Sequence, residues 1–143
     1  MSSAHQSEQT EPKKLPSGRL SLRTIAMPAD SNPIGTIFGG WVLAQMDLAG
    51  GNHAFLRAQG PVTTVAVEGM EFHLPIHVGD EVSCYTEIVR IGNTSLSIRV
   101  QAWVRRGCIE PYPTLVTSAV FTFVALTADL KKRPVPPEVP TLD

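Results

Sequence analysis

One carboxylate, Asp47, lies in a stretch of sequence that is otherwise apolar or small. From Val42 to Ala54 the apolar and small residues recur at helical spacing and cover most of the helix surface. A helix of this kind is expected to be buried, and a buried carboxylate is costly unless it is paired or hydrogen-bonded. Asp47 lies about two turns beyond Gly40, which is too deep to cap the helix N-terminus. Two interpretations of Asp47 stand side by side: a carboxylate that belongs to a functional site, or the partner of a surface cation.

The helix that carries Asp47 has recognisable ends. Turn-forming residues precede it, and a Gln-Gly-Pro sequence follows it, so a helix is predicted from about Gly39 to Ala58. Inside this helix, Gly50 and Gly51 each weaken helix formation by about 1 kcal/mol relative to Ala. Two glycines in one apolar helix indicate that its backbone approaches a sheet closely.

One strand is predicted before this helix and four strands are predicted after it. The first spans Leu20 to Met27 and ends at Pro28. In the clearest pattern, alternate residues from Leu96 to Val104 are apolar, which places them on one face of a strand. The other three strands are predicted within residues 62–73, 81–89 and 114–127. This order predicts an α+β fold in which the helix lies across the concave face of a curved antiparallel sheet.

The composition restricts the class of protein. The chain has 143 residues, of which 43% are apolar and 17% are charged, and these values fit one globular domain. We expect a flexible N-terminal arm over residues 1–17, the domain over residues 18–128, and a proline-rich tail over residues 129–143. The net charge of −1 offers no electrostatic basis for binding nucleic acid. No apolar run is long enough to predict a membrane span.

The cysteines and the strand lengths indicate the compartment and the assembly. Cys84 and Cys108 lie far apart and form no C-x-x-C pattern, and the N-terminus has no secretory signal pattern. Both are therefore predicted to be reduced thiols in a cytoplasmic protein. Several predicted strands reach ten residues or more, beyond the usual five or six. Because long strands expose the edges of an open sheet, we expect copies of the chain to pair and cover one edge.

Short motifs follow one another at a consistent spacing from about residue 20 to residue 126. They include Leu22-Arg23-Thr24-Ile25-Ala26-Met27-Pro28, Ile37-Phe38-Gly39-Gly40-Trp41, Gln45-Met46-Asp47, Val67-Glu68-Gly69-Met70, Val78-Gly79-Asp80, Ala102-Trp103-Val104 and Phe121-Thr122-Phe123-Val124-Ala125. Together these motifs resemble the hotdog-fold acyl-CoA thioesterases of the bacterial YciA type. The resemblance implies a long helix wrapped by a sheet of about five strands, a homodimer and often a hexamer built as a trimer of dimers. It also implies hydrolysis of acyl-CoA thioesters to free acid and CoA, without a cofactor.

Thioester hydrolysis needs a base for the attacking water and donors for the developing oxyanion. It needs little acid assistance, because a thiol with a pKa of about 8.5 leaves readily. Asp47 is the candidate base, or alternatively a nucleophile that forms a mixed anhydride. The backbone N–H groups of Gly39 and Gly40, at the helix N-terminus, are the candidate oxyanion donors. The resemblance assigns the amide of Asn32 to holding the water or the carbonyl, whereas Asn32 alone is typical of an Asn-Pro turn.

The spacing of these residues bears on where the site lies. Asp47 is seven residues beyond Gly40 in the sequence, which corresponds to about 10 Å along the helix. One acyl carbon does not readily reach both ends of that span. We therefore expect a site shared between subunits, with Asp47 from one chain and Asn32 and the glycine N–H groups from its partner.

Coenzyme A also carries a pyrophosphate and a 3′-phosphate, which need donors and cations. The candidate binding residues are the turn residues Gly92, Asn93, Thr94 and Ser95 and the cations Arg90, Arg105 and Arg106, with Lys131, Lys132 and Arg133 in the tail. For each cation the alternative is a solvated surface charge. Leu74 departs from the family, which usually has a basic residue before the proline of this segment, and one contact to CoA is therefore in question.

Two other functions on the same fold stay open. A non-catalytic acyl-CoA sensor would not need Asp47, and a dehydratase acting on acyl-CoA would need a histidine paired with the acid, for which His53 is the only helical candidate. His73 and His77 are four residues apart with a proline between them, so they predict no metal site. Asp80 follows a glycine and is predicted to be a turn residue.

Overall fold

Five antiparallel strands form one sheet, and a 20-residue helix packs across it. The computed structural model describes residues 15–108 and 110–140. The elements are β1 (Arg19–Ile25), a short 3₁₀ helix (Pro28–Asp30), α1 (Gly39–Ala58), β2 (Val62–Phe72), β3 (Glu81–Ile91), β4 (Ser95–Arg105) and β5 (Thr114–Ala125). The sheet order is β1-β3-β4-β5-β2, which leaves β1 and β2 at the edges. The predicted α+β fold and the predicted bounds of the helix are confirmed.

The helix approaches the sheet most closely at Gly50. A Cβ atom on Gly50 would lie 3.0 Å from Cγ2 of Val100 and 3.2 Å from the ring of Phe123, which is tighter than ordinary van der Waals contact. A Cβ on Gly51 would lie 3.5 Å from the same ring, which is an ordinary contact. The predicted close approach is therefore confirmed at Gly50, whereas Gly51 has room for a methyl group.

The predicted alternation along β4 is also confirmed. Leu96, Ile98, Val100 and Ala102 are fully buried and belong to the core between the sheet and α1. Trp103 was predicted on the opposite face, yet it is buried as well, beside an irregularity in the pairing of β4 with β5. The core thus lies along the three inner strands β3, β4 and β5, and α1 covers it.

The expectation that α1 is buried on all sides is wrong for the single chain. Leu48, Phe55 and Leu56 of α1 are 61%, 48% and 52% exposed. On the edge strand β2, Val65 and Val67 are 56% and 40% exposed. The helix is apolar on more faces than one sheet can cover, so one chain by itself leaves apolar side chains in water.

Residues 131–137 pack back onto the domain after the last strand. Residues 131–137, the C-terminal strap, bind backbone groups on two elements. Arg133 donates from Nη2 to the Ala58 carbonyl at 2.7 Å, at the end of α1. The Val135 N–H donates to the Asn93 carbonyl at 2.8 Å, in the turn between β3 and β4. The predicted N-terminal arm lies mostly outside the described residues.

Within residues 15–108 and 110–140, the structure contains no helix with the length and hydropathy needed to cross a membrane.

Candidate active site

Asn32 organises the loop that leads into α1. Its Oδ1 accepts the backbone N–H groups of Ile34 at 3.0 Å and Thr36 at 3.2 Å, and its Nδ2 donates to Oγ1 of Thr36 at 2.9 Å. Because two backbone donors point at Oδ1, the orientation of the amide is determined by its surroundings. The turn interpretation of Asn32 is thus visible in the structure. Among the described residues Nδ2 uses one of its two hydrogens, so Asn32 can still donate the other to a ligand.

The N-terminus of α1 has no side-chain cap. The N-cap residue is Phe38, whose side chain has no oxygen to accept a helix N–H group. The backbone carbonyl of Phe38 accepts the N–H of Trp41 at 3.1 Å. The N–H groups of Gly39 and Gly40 have no acceptor within the part of the chain that the structure describes. Both glycines are exposed, and nothing lies within 4 Å of a Cβ built on Gly40. A free pair of N–H groups at the positive end of a helix dipole favours a negatively charged oxygen.

An apolar cavity of about 340 Å³ opens beside these N–H groups. Gly39 forms part of its wall, and the ring of Phe72 lies 3.4 Å from a Cβ built on Gly39. The lining residues are Ile37, Gly39, Val42, Phe72, His73, Leu74, Pro75 and Ile76. Leu74, the departure from the family pattern, is therefore a wall of this cavity.

Asp47 is held by a threonine on the neighbouring strand. Oγ1 of Thr64, near the start of β2, donates to Oδ1 of Asp47 at 2.6 Å. Asp47 is half-buried, and no salt bridge to it occurs among the described residues. The cation-partner interpretation thus has no support in the single chain. Thr64 was not identified from the sequence, and the only available signal was its hydroxyl at the start of a strand predicted to follow the helix.

Both ends of the candidate site face the edge strand β2. Gly39 lies against Phe72 at the end of β2, and Asp47 lies against Thr64 near its start. The strand and the first half of α1 thus run in opposite directions, side by side. Since Gly39 and Asp47 belong to one continuous helix, the single chain keeps the two groups about two turns apart, as the spacing predicted.

The predicted CoA-binding residues fall into two groups at opposite ends of β4. Arg90 and the turn from Gly92 to Ser95 lie before β4, whereas Arg105 and Arg106 lie at its end. Ten residue steps of extended strand separate these ends by roughly 33 Å. Within one chain the structure does not bring the two groups together.

The turn from Gly92 to Ser95 already has partners for much of its backbone. The Gly92 N–H donates to the Ser95 carbonyl at 2.8 Å, and the carbonyl of Thr94 accepts the Ala125 N–H at 2.9 Å. The carbonyl of Asn93 binds the C-terminal strap. The N–H of Gly92 is therefore not free to bind a phosphate oxygen.

Arg106 binds a buried carboxylate. Its Nε donates to Oδ1 of Asp80 at 3.0 Å and its Nη2 to Oδ2 at 2.9 Å, and the Asp80 side chain is 2% exposed. Burial alone would raise the pKa of Asp80, but the hydrogen bonds and charge of Arg106 and the N–H of His77 together lower it below the usual carboxyl value. Asp80 does lie at a turn, and in addition it forms a buried ion pair.

His53 and Cys84 do not line the cavity at the start of α1, whereas His73 is one of its lining residues. Nδ1 of His53 lies 2.8 Å from Oγ1 of Thr86, and burial together with the charge of Arg19 lowers the pKa of His53. Burial raises the pKa of the Cys84 thiol to about 12, so Cys84 is an inert core residue. Within the described residues, no group of three His, Cys, Asp or Glu side chains is placed to hold a metal ion.

The sequence pattern of one known family, the thioesterase superfamily, matches residues 34–107, which include the uncapped helix start and Asp47. The chain belongs to the thioesterase superfamily. The acyl-CoA thioester hydrolase YciA of Salmonella typhimurium is 49% identical to this thioesterase over 123 residues, which are 85% of this chain and 92% of that protein.

Solved structures agree with the hotdog fold of this thioesterase. HI0827, a hexameric broad-specificity acyl-coenzyme A thioesterase, is 46% identical with a TM-score of 0.81, over 87% of this chain and 86% of that one. Cj0915, a hexameric hotdog-fold thioesterase of Campylobacter jejuni, is 40% identical with a TM-score of 0.77, over 83% of this chain and 91% of that one. The predicted family and fold are confirmed.

Proposed function

We propose that this thioesterase hydrolyses acyl-CoA thioesters to free acid and CoA, at a site that two copies of the chain build together. The observation that carries the proposal is the uncapped start of α1, where two free N–H groups open beside an apolar cavity. Acyl-CoA thioester hydrolysis is also the activity named for the Salmonella typhimurium relative, which matches 85% of this chain.

The N–H groups of Gly39 and Gly40 act as the oxyanion donors. As water adds to the thioester carbonyl, negative charge develops on its oxygen, and donors aligned in advance stabilise that charge without reorganisation. The lack of a side chain on Gly40 leaves the space above its N–H open to the substrate. The free hydrogen on Nδ2 of Asn32 can serve as a further donor to the same carbonyl or to the attacking water.

Asp47 removes a proton from the attacking water, and Thr64 orients it. The hydroxyl of Thr64 occupies Oδ1 of Asp47, which leaves Oδ2 to accept the proton. The tetrahedral intermediate then collapses, the carbon–sulfur bond breaks, and CoA leaves as a thiolate. In the alternative mechanism, Asp47 attacks the carbonyl itself and water hydrolyses the resulting mixed anhydride.

The direction of β2 supports a site shared between two chains. Two edge strands related by a two-fold axis run antiparallel, so pairing centred on the middle of β2 places the start of one strand beside the end of the other. The Asp47–Thr64 end of one chain would then approach the Phe72–Gly39 end of its partner. The same pairing would bring the exposed Val65 and Val67 of β2 into an interface.

Oligomerisation is proposed on the same surface. Leu48 of α1 and the apolar residues Val65 and Val67 of β2 are exposed in the single chain, and exposed apolar surface of this kind is typical of an interface with another chain. HI0827 and Cj0915 are described as hexameric. We therefore propose a homodimer through β2 and α1, and a hexamer made of three such dimers.

Which residues bind the phosphates of CoA stays a prediction. Because Arg90 and Arg105 lie at opposite ends of β4, one CoA molecule would meet only one of these groups from any given chain. Arg90 and the turn from Gly92 to Ser95 form one candidate group, and Arg105 is the candidate at the other end of the strand. Arg106 donates two hydrogen bonds to the carboxylate of Asp80.

Mixing two inactive variants tests the shared site. Asp47→Asn removes the base without changing its shape. Asn32→Asp keeps the oxygen that accepts the two loop N–H groups but removes the Nδ2 donor. In a randomly mixed population half of the dimers are hybrids, and each hybrid contains one intact site and one doubly defective site, so roughly a quarter of wild-type activity should return.

The measurement is release of free CoA, followed with a thiol-trapping reagent after the exposed Cys108 has been allowed to react. Absence of recovery in demonstrably mixed dimers would place the whole site within one chain. Binding of acyl-CoA by the wild type without CoA release would favour the sensor, and hydration of an enoyl-CoA would favour the dehydratase.

A further inference from the structure

We infer that Asp80 and Arg106 form a positioning pair for the hydrolytic site, because they hold the turn against which the oxyanion-binding loop is built. The inference rests on the proposed function, since it concerns the N–H groups of Gly39 and Gly40 and the amide of Asn32. Neither residue touches the substrate in this proposal.

The pair fixes both ends of a short turn, residues 75–80. Arg106 donates from Nη2 to the Pro75 carbonyl at 3.3 Å while it binds Asp80 through two hydrogen bonds. Oδ2 of Asp80 also accepts the His77 N–H at 2.9 Å. A bidentate arginine–carboxylate pair has a defined geometry, and burial of the carboxylate makes loss of its partner costly. The turn is therefore held rigidly to the end of β4.

Residues 75–80 also hold the loop that contains Asn32. The Ile37 N–H donates to the Ile76 carbonyl at 2.9 Å, and Thr36 pairs with His77 as an isolated antiparallel bridge. Thr36 is the residue that binds both the backbone and the side chain of Asn32, and Ile37 lies two residues before Gly39. A displacement of residues 75–80 would therefore displace the donor groups at the start of α1.

The same turn also forms a wall of the apolar cavity. Pro75 and Ile76 of the turn, with Leu74 before it, line the cavity together with Val42 and Gly39 of α1. The pair thus sets the position of the donors and of the cavity relative to each other. A change of about 1 Å in such a relation can lower a rate by roughly 100-fold even when the mutation is far from the reacting atoms.

The hydrogen bonds of Arg106 distinguish its role as a positioning residue from its predicted role as a phosphate ligand. Nε and Nη2 of Arg106 are both engaged by Asp80, and Nη2 also by Pro75. A phosphate ligand affects only substrates that carry phosphate. A positioning residue affects every thioester that the site hydrolyses, including one without a nucleotide.

The test uses Arg106→Lys and Asp80→Asn, each assayed as the assembled full-length enzyme with two substrates. One substrate is an acyl-CoA, and the other is the same acyl group on N-acetylcysteamine, which has the thioester but no phosphate. Arg99→Ala is the matched control, because Arg99 lies on β4, the strand that directly precedes Arg106, and among the described residues its ion pair is a long surface contact to Glu87 at 3.8 Å.

We expect kcat to fall on the order of 10- to 100-fold with both substrates in both variants, while KM for the truncated thioester changes much less. Hydrogen exchange at the Ile37 amide should become faster in the same variants. Arg99→Ala should match the wild type in every measurement. Arg106→Lys keeps the charge beside Asp80, so it remains informative if Asp80→Asn folds poorly.

Two results would overturn the inference. If Arg106→Lys raises KM for acyl-CoA and leaves the truncated thioester unaffected, Arg106 is a phosphate ligand. If both variants lose thermal stability but keep kcat per folded enzyme, the pair is only structural. Failure of the proposed function itself would look different: the wild type would release no thiol from either substrate, or Asp47→Asn would remain fully active.

Discussion

Gly50 and Gly51 are adjacent in α1 but meet the sheet differently, so the same substitution at each should have opposite effects on stability. Replacement of Gly by Ala in a helix stabilises the helix by about 1 kcal/mol. At Gly51 the new methyl group would make an ordinary contact at 3.5 Å with the ring of Phe123, so this gain should be retained. Gly51→Ala should therefore raise the free energy of unfolding by up to about 1 kcal/mol.

At Gly50 the new methyl group would lie 3.0 Å from Val100 and 3.2 Å from Phe123, and both neighbours belong to the central strands of the sheet. Overpacking of this kind costs about 1–3 kcal/mol. After the helix-propensity gain is subtracted, Gly50→Ala should lower the free energy of unfolding by up to about 2 kcal/mol. It should also lower activity, because Asp47 lies three residues before Gly50 and would move with the displaced helix.

The assay is urea unfolding followed by circular dichroism at one fixed protein concentration, since assembly couples stability to concentration. CoA release is measured on the same samples. If Gly50→Ala is as stable and as active as Gly51→Ala, then α1 does not lie as close to β4 and β5 as described. The geometry around Asp47 would then have to be revised.

Two further predictions concern the same framework. Thr64→Val removes the hydroxyl that donates to Asp47 at 2.6 Å, and it should lower kcat on the order of tenfold with little change in KM. Thr64→Ser keeps a hydroxyl and should keep most of the activity. Equal kcat in the valine and serine variants would contradict the orienting role of Thr64. Because the pKa of Asp80 is lowered on folding, its ionisation stabilises the protein at pH values above the ordinary carboxyl pKa, and this contribution is lost as the pH falls through the folded value. The urea midpoint of the wild type should therefore fall more steeply than that of Asp80→Asn as the pH drops below the ordinary carboxyl pKa of 3.8, and parallel profiles would contradict the contribution of Asp80.

Much of the fold follows from local patterns. The C-terminal end of α1 was predictable because the Gly60-Pro61 pair does not continue a helix, and in the structure the helix ends there with Gln59 as its C-cap, at a φ of 56°. The strands were predictable from the alternation of apolar residues and from the turns between them. These signals are carried by neighbours in the sequence, and tertiary contacts did not override them.

The contacts that build the site are different, because they join residues far apart in the chain. Asp80 and Arg106 are 26 residues apart, and nothing local in the sequence says that the arginine binds a carboxylate and not a phosphate. Thr64 and Asp47 meet across two elements for the same reason. The burial of α1 was overestimated because the apolar pattern reports every contact of the helix, including those that a second chain would make.

The C-terminal strap supplies hydrogen bonds to the end of α1 from a segment that follows the last strand of the sheet. Among the described residues, the donor to the Ala58 carbonyl at the end of α1 is Arg133, 75 residues later. During synthesis the helix and all five strands are made before that donor leaves the ribosome. A nascent or truncated chain that stops before residue 131 therefore has the helix and all five strands of the described domain. It lacks the C-terminal strap, whose hydrogen bonds join the end of α1 to the turn between β3 and β4.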